Sequence, residues 1–497
     1  MKLKTLCENF IKLRSEDENI IVKGLAIDSR QVKPGDLFFA VPGLKYDGIS
    51  FIPQAVANGA VAILCEESMD VFSQVDIETT AGRKVPVYAI SHLLLKIGSF
   101  AACFYHNPSS KIELIGVTGT NGKSSIVYFL TMALNKLNKK TAMLGTLGNG
   151  YQQKLLQSSH TTLDAVTLQN ILHQFIEDKV ACVAMEVSSH GLSQGRVNGC
   201  DIDIAVFTNL THEHLDYHGD MHHYGQAKRK LFLMPKLRHA IFNIDDDFGA
   251  NLFQEFKSSL TCYAISLHST HMQIDKKQLI SAKNIELSSE GLFFDVSSPW
   301  GEARIHTSLY GKFNILNLLS TIACLGIQGY TWSEIQNVMH ELSGVPGRMQ
   351  VLRQENKPVA VIDYAHTPDA LKNALQALRQ HNFGKIWCVF GCGGDRDSSK
   401  RSIMGEIAEQ YADNVIITND NPRTEDPMMI AQQIKVSMID QQVQIILDRK
   451  AAIIKALSQA KQGDVVLIAG KGHEQYQEIN QVKSDFSDEK IVQDFWF

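Results

Sequence analysis

Several things are scarce or missing in this chain, and each absence narrows what it can be. No apolar run approaches the length that crosses a bilayer, so no membrane-spanning segment is expected. The first stretch, Met1 to Phe10, has no long apolar core and no small-residue cleavage site. It reads as a short amphipathic helix rather than a signal peptide. Neither charge dominates: 48 Lys and Arg stand against 53 Asp and Glu, a net charge of -5. That balance argues against a general nucleic-acid or membrane-surface partner. The nine cysteines are an odd number and scattered, with no CxxC. The nearest pair, Cys388 and Cys392, lies in an apolar strand and turn. Free buried thiols in a reducing cytoplasm are expected, and a zinc site built on cysteine is not. HExxH is absent as well.

What is present is the composition of an ordinary globular protein, 44% hydrophobic and 20% charged over 497 residues. That length suits about three domains. One stretch organises the rest: Ile115-Gly-Val-Thr-Gly-Thr-Asn-Gly-Lys-Ser-Ser125. The apolar run Lys111 to Val117 reads as a buried strand, and Ser124 to Leu137 carries apolar residues at helical spacing. Strand, glycine-rich turn and helix are the context of a phosphate-binding loop. Gly119 and Gly122 let the backbone turn tightly and aim its N–H groups inward. The helix N-terminus adds positive potential. Lys123 can reach terminal phosphate oxygens, and the Ser124 hydroxyl can ligate Mg²⁺. A strict Walker A would have glycine where Val117 stands, so the loop is a variant. An incidental lysine in a glycine-rich turn is the bland alternative, and the flanks speak against it.

The chain reads as an α/β protein of three parts, residues 1–106, 107–343 and 344–497. In the first, Val32 to Val41 is a turn leading into a strand, Ile52 to Gly59 a helix and Ala60 to Cys65 a strand. Ser29 and Arg30 could hold an anion or merely cap a turn. The second part alternates strand and helix patterns. Ala181 to Val187 is a strand ending in Glu186, followed by Ser188, Ser189 and His190. Asp203 to Asn209 is another, followed by His212, Glu213, His214 and His218. Polar residues just past buried strand ends are where open α/β sheets place ligands. Glu186 is therefore a candidate Mg²⁺ ligand with His214 beside it; zinc and a plain polar loop remain alternatives. Lys228 reads locally as a solvated lysine at a basic helix start. Asn314 and Asn317 share a helix face and could read a purine edge or bond locally. Val345-Pro-Gly-Arg-Met349 reads as a linker. In the third part four buried strands lead into polar loops, Asp363 onward, Gly391 to Asp397, Asn419 to Arg423 and Gly470 to Glu474. This is a doubly wound, Rossmann-like pattern. Its crevice would hold Arg396, Asp420, Asn421, Arg423 and Glu474, a mixture of signs suited to a zwitterion or to a structural ion-pair network.

Thr118-Gly-Thr-Asn-Gly-Lys-Ser124, Met185-Glu-Val-Ser-Ser-His-Gly191, Asn209-Leu-Thr-His-Glu-His-Leu-Asp216 and Pro346-Gly-Arg348 together resemble the Mur ligases, ATP-dependent amide-forming enzymes of peptidoglycan synthesis. Asp420-Asn-Pro-Arg423 and Gly470-Lys-Gly-His-Glu474 resemble the branch that adds meso-diaminopimelate. The resemblance spans essentially the whole chain, with its motifs in order. It implies an N-terminal UDP-sugar domain, a central ATPase and a C-terminal amino-acid domain. It also implies a cytoplasmic enzyme, taken here as a monomer, acting on UDP-N-acetylmuramoyl-L-alanyl-D-glutamate, meso-diaminopimelate and ATP. The implied route is an acyl phosphate attacked by an amine.

By the same resemblance, Gly119, Thr120, Asn121, Gly122, Lys123, Ser124 and Ser125 cradle the nucleotide phosphates, and Asn317, Arg348 and Asp363 face the nucleotide. Mg²⁺ is held by Ser124, Glu186, His214 and Lys228, the last as a carbamate. Lys123, Lys228 and His214 are the catalytic set. Ser29 contacts the uridine diphosphate end, and Thr161, Thr162, Ser188, Gln194 and Arg196 hold the muramoyl dipeptide. Arg396, Asp420, Asn421, Arg423, Gly470 and Glu474 hold diaminopimelate. Arg423 would bind its second carboxylate in bidentate fashion, and Asn421 with Glu474 would take the distal ammonium. Gly43-Leu-Lys-Tyr-Asp-Gly48 departs from the histidine-containing stretch the family would have there, so uridine contacts at 44–46 are left unassigned. A lysine-adding sibling, folylpolyglutamate synthase and a non-catalytic nucleotide module are the competing readings. Arg423 opposes the first. The N-terminal part with Asp-Asn-Pro-Arg opposes the second, and intact Lys123, Glu186, His214 and Lys228 oppose the third.

Overall fold

The computed structural model describes residues 1–43, 47–67, 74–78, 82, 84–151, 154–156, 160–268, 273–439 and 443–496. The stretch 44–46 therefore lies outside the described residues. By internal contacts the chain divides into two units, Met1–Ala264 and Ile265–Phe497.

The first unit contains two sheets. The N-terminal one runs in the order Gly24–Ala26, Asp36–Ala40, Ala62–Glu66, Lys84–Ile90, Gln74–Glu78. Its pairings are parallel except the last, which is antiparallel. The strand Asp36–Ala40 is buried throughout because both faces are covered. One face packs with the helix Leu93–Phe104, the other with the helix Ile52–Ala57. The second sheet is centred on Glu113–Thr118, with Cys182–Glu186 and Ile204–Phe207 as parallel neighbours. Thr141–Gly145 and His239–Asn243 lie outside these, also parallel. Parallel register brings the carboxyl ends of the central strands to one edge, so the loops after Thr118, Glu186 and Phe207 leave together.

In the second unit, residues 279–307 depart from the expected strand–helix alternation. They form an antiparallel meander of Leu279–Ser288, Gly291–Ser298 and Gly301–Thr307. Its burial alternates along Gly301–Thr307, the signature of a sheet with one face in water. The helices Phe313–Ile327 and Trp332–His340 follow, the latter opened by a Thr331–Glu334 capping box. The doubly wound pattern of the C-terminal part is present. The order is Gln350–Leu352, Val359–Asp363, Val465–Ala469, Ile386–Phe390, Asn414–Ile417, Gln444–Ile445, and only the first pairing is antiparallel. The run 345–349, read above as a linker, is a tight turn: Arg348 N–H donates to Val345 O at 3.0 Å, with Pro346 and Gly347 at its centre. Gly347 has φ +68°, the conformation a type II turn requires. A side chain there would meet the His473 backbone nitrogen at 2.1 Å. Among the described residues no helix is long and apolar enough to cross a membrane. All nine cysteines are free, and all but Cys103 are buried.

Candidate active site

The phosphate loop joins the strand Glu113–Thr118 to the helix Lys123–Lys136, whose N-cap is Gly122 at φ +89°. Gly119 has φ +142°, and a Cβ on it would lie 1.8 Å from Thr208 Oγ1. Only glycine fits both the dihedral and the space. The loop is stitched to the segment after Ile204–Phe207. Thr120 N–H donates to Asn209 O at 2.8 Å, Asn121 N–H to Asn209 Oδ1 at 2.9 Å, and Thr208 Oγ1 to Asn121 O at 2.6 Å. These bonds fix the turn before any ligand arrives, which is preorganisation for an anion. Lys123 Nζ donates to Gly119 O at 2.9 Å and Thr120 O at 2.7 Å, so its ammonium lies over the loop.

Lys228 corrects the local reading. It is in the last turn of the helix Met221–Arg229, not at a helix start, and it is only 1% exposed. Its Nζ donates to Gly119 O at 2.7 Å and lies 4.2 Å from the centre of the Tyr224 ring. Burial, with the charge of Lys123 nearby, lowers its pKa to about 6. Tyr224 in turn places its hydroxyl 3.1 Å from Thr120 Oγ1. Nothing in the sequence signals this link, because Tyr224 and Thr120 are 104 residues apart and share no pattern.

Glu186 ends its strand fully enclosed. Oε1 accepts from Thr146 N–H at 2.8 Å, and Oε2 faces Thr146 Oγ1 at 3.4 Å. Gly145 leaves the room, since a Cβ there would sit 2.3 Å from Oε1. From this carboxylate a polar network spreads. Thr146 Oγ1 is 3.2 Å from Thr161 Oγ1. Thr162 Oγ1 donates to Glu186 O at 3.0 Å and accepts from Ser188 N–H at 2.9 Å. Arg196 donates to Thr162 O at 2.7 Å and to Gln194 Oε1 at 2.9 Å. Thr161, Thr162, Ser188, Gln194 and Arg196 are thus brought into one network with Glu186. The Arg196 guanidinium is half-buried, and among the described residues no ion pair holds it.

His214 is held differently. It has φ +57°, is nearly half exposed, and packs its ring against His190 at 4.9 Å. Among the described residues no hydrogen bond joins it to Glu186, and no group of three or more His, Cys, Asp or Glu converges. That does not suit zinc. A hydroxyl from Ser124 and a carboxylate from Glu186, completed by phosphate and water oxygens, do suit a magnesium ion. Ser29 opens the short 3₁₀ helix Ser29–Gln31 between the first two strands of the N-terminal sheet, where it is buried and donates its hydroxyl to Gln54 Oε1 at 2.7 Å.

In the second unit the loops 391–397, 418–424 and 470–474 leave the same edge of the parallel sheet. Asn421 Nδ2 donates to Glu474 Oε2 at 2.9 Å. Arg423, at φ +50°, donates from Nη1 to Gly394 O at 2.6 Å and lies 3.7 Å from Glu478 Oε2 through Nε. Asp420 is buried, which pushes its carboxyl up. One oxygen accepts from Asn421 N–H, and the other lies where a Cβ on Gly470 would collide at 2.5 Å. Arg396 is exposed on its loop, with Nη1 3.4 Å from Asp395 O. Arg401, buried and paired with Glu425, braces that loop through Gly393 O. Lys471 is a member of the cluster that the sequence did not single out. Its ammonium is fully buried between Asn421 and Glu474.

The three residues expected at the nucleotide are less concentrated. Asp363 is buried and gives its two oxygens to Met349 and Ala365 N–H, at 2.7 and 2.8 Å. Arg348 lies over the Tyr364 ring at 4.8 Å. Asn317 is bonded to Asn314 within its helix at 3.0 Å, and no hydrogen bond joins it to the other two among the described residues.

Family models place this arrangement. "Mur ligase family, catalytic domain" matches residues 21–105, "Mur ligase middle domain" residues 117–325, and "Mur ligase, glutamate ligase domain" residues 347–472. The chain belongs to the Mur ligase family. Among its relatives is the UDP-N-acetylmuramoyl-L-alanyl-D-glutamate--2,6-diaminopimelate ligase of Coxiella burnetii, 42% identical over 95% of this chain and 94% of the relative. The protein of the same description from Ectopseudomonas mendocina is 43% identical over 96% and 95%. A solved structure of a UDP-N-acetylmuramoyl-L-alanyl-D-glutamate--2,6-diaminopimelate ligase superposes with a TM-score of 0.75 at 34% identity, covering 100% of this chain and 98% of that one.

Proposed function

We propose that this protein is an ATP-dependent ligase that joins meso-diaminopimelate to the D-glutamate carboxylate of UDP-N-acetylmuramoyl-L-alanyl-D-glutamate. The observation that carries the choice of amino acid is the cluster of Asn421, Arg423 and Glu474. Asn421 is bonded to Glu474, and Arg423, two residues along the same loop, is held by Gly394 O, so a guanidinium and a carboxylate stand on loops that leave one edge of the sheet. An amino acid with a second carboxylate and a second ammonium matches that pair, and lysine does not. Relatives that bear this ligase name over nearly the whole chain support the same reading.

The chemistry has two halves. A carboxylate oxygen of the dipeptide attacks the γ-phosphorus of ATP, the bond to the bridging oxygen breaks, and ADP leaves. The diaminopimelate amine then attacks the acyl carbon and gives up a proton, and the carbon–oxygen bond to phosphate breaks. Two anions must meet in the first half. The prearranged N–H groups of 119–125 with Lys123 receive the phosphates, and Arg196 receives a substrate carboxylate. Ser124, Glu186, His214 and the carbamate of Lys228 are the residues we assign to Mg²⁺, which when bound screens the phosphate charge. A buried amine lying on the phosphate loop, with no carboxylate in ion-pair distance among the described residues, supports Lys228 as the carbamylated residue. In this reading Ser29 meets the uridine diphosphate end, and Asn317, Arg348 and Asp363 face the nucleotide. The domains run 1–106, 107–343 and 344–497, and the working form is a cytoplasmic monomer. The test is ADP release with the UDP-muramoyl dipeptide, comparing meso-diaminopimelate with L-lysine. Equal rates with the two amino acids would overturn the assignment of the substrate.

A further inference from the structure

Lys471 follows Gly470 at the end of the strand Val465–Ala469 and is 0% exposed. Its Nζ donates to Asn421 Oδ1 at 3.0 Å and to Glu474 Oε2 at 2.9 Å, and it lies 5.4 Å from the centre of the Tyr476 ring. A buried ammonium persists only where it is paired and hydrogen-bonded. Here both of its side-chain partners are groups of the amino-acid crevice.

The hydrogen-bond inventory of Asn421 is what Lys471 controls. A carboxamide has an oxygen with two acceptor positions and a nitrogen with two hydrogens. Oδ1 accepts from Lys471 Nζ and from Glu478 N–H, each at 3.0 Å, so both acceptor positions are filled. Nδ2 gives one hydrogen to Glu474 Oε2 at 2.9 Å, and its other hydrogen has no partner among the described residues. Turning the amide over would set NH₂ against the Lys471 ammonium and the Glu478 N–H, and oxygen against the Glu474 carboxylate. Every contact would then be like against like, so the orientation is fixed by its surroundings. Glu474 is constrained as well. Oε2 takes both Asn421 and Lys471, and Oε1 accepts no hydrogen bond among the described residues.

We infer that Lys471 is a positioning residue that sets amino-acid selectivity, by holding Asn421 with only a donor to offer and Glu474 with only one oxygen to offer. The inference rests on the reading of this crevice as the diaminopimelate site. It revises the division of labour expected from sequence. An amide whose oxygen is saturated cannot receive an ammonium, so the ligand ammonium goes to Glu474 alone. Asn421 joins Arg423 as a donor to the second carboxylate. An amino acid without that carboxylate leaves two donors facing nothing, which is the arrangement that rejects it most strongly.

The experiment compares wild type, Lys471→Met, Lys471→Gln, Asn421→Ala and Lys471→Met/Asn421→Ala in the ADP-release assay, with thermal denaturation alongside. Lys471→Met is expected to raise the diaminopimelate KM about tenfold or more, while the ATP KM and kcat stay within about threefold. Lys471→Gln, which can still donate to Asn421 Oδ1, is expected to fall between it and wild type, and it carries the test if the Met variant does not fold. The double variant should lose less than the product of the two single losses, since Lys471 acts partly through Asn421 and partly through Glu474. An unchanged diaminopimelate KM in both Lys471 variants, or losses that multiply in the double variant, would overturn the inference. Wild-type protein that releases no ADP with diaminopimelate would overturn the functional reading, and this inference with it.

Discussion

Replacing Arg423 by alanine is the sharpest probe of the crevice, and the structure sets its size. The side chain is 20% exposed, so its interaction with a ligand carboxylate is partly screened. Its Nη1 already serves Gly394 O, and Glu478 lies 3.7 Å from Nε. The guanidinium is therefore held in place from behind and offers its outer edge, while the Glu478 charge offsets part of its own. Losing a buried hydrogen-bonded charge pair costs about 2–5 kcal/mol, and the exposure and Glu478 place this one near about 2–3 kcal/mol. At 1.4 kcal/mol per decade that is roughly a 30- to 150-fold rise in the diaminopimelate KM. The ATP KM, read in the same steady-state ADP-release assay, should stay within about twofold, because the phosphate loop makes none of these contacts. The backbone supplies an internal control. Arg423 has φ +50°, and relief of that left-handed strain should make Arg423→Gly about 1 kcal/mol more stable than Arg423→Ala. Both variants should nonetheless lose diaminopimelate equally. A diaminopimelate KM that moves less than about threefold in either variant would refute the assignment.

Three further outcomes are expected. Lys228→Ala should lower turnover by about a thousandfold, with part of it restored by formate or acetate. Absence of a carbamate carbon signal from wild-type protein in ¹³C-bicarbonate would refute the modification. Gly119→Ala should both destabilise the protein by about 2 kcal/mol or more and weaken ATP binding, since the new methyl collides with Thr208 and the dihedral is disfavoured. Unchanged melting and ATP titration would count against the loop geometry. Arg449 and Asp488 form a fully buried ion pair at 2.7 Å. Arg449→Met should cost about 3–5 kcal/mol in urea unfolding, and Arg449→Met/Asp488→Leu should regain most of it; a double variant as unstable as the single one would show the loss is packing, not charge.

What could be read from sequence was what is local. The strand, turn and helix around Lys123 are consecutive residues with distinct periodicities, so the phosphate loop was legible. The four C-terminal strands were legible for the same reason, as short apolar runs each closed by a polar loop. Lys228 was not legible from its neighbours, because its ammonium lies against Gly119 O of the phosphate loop, 109 residues away in the chain. Lys471 was hidden for a related reason. Between two glycines it has no pattern to mark it as interior, and its partners Asn421 and Glu474 come together only in the fold. The meander 279–307 was missed because the alternation along it was not separated from the strand–helix pattern around it. Asp363 was expected to face a nucleotide. The structure shows both its oxygens already bonded to the turns on either side, something residue type alone does not reveal.

The hairpin Tyr476–Ile479 and Val482–Asp485 has a consequence for how such a protein could change over generations. Arg423 pairs with Ile479 as an isolated bridge, its N–H donates to Glu478 O, and Asn480 N–H donates back to Arg423 O. The same hairpin supplies the Glu478 N–H that helps saturate Asn421. Two segments about fifty residues apart thus behave as one inherited module. A mutational route to a different amino acid through Arg423 alone would leave Asn421, Glu474 and Lys471 still arranged for the old one. Such intermediates would serve neither amino acid well, so substitutions confined to one segment should yield weakened enzymes far more often than redirected ones.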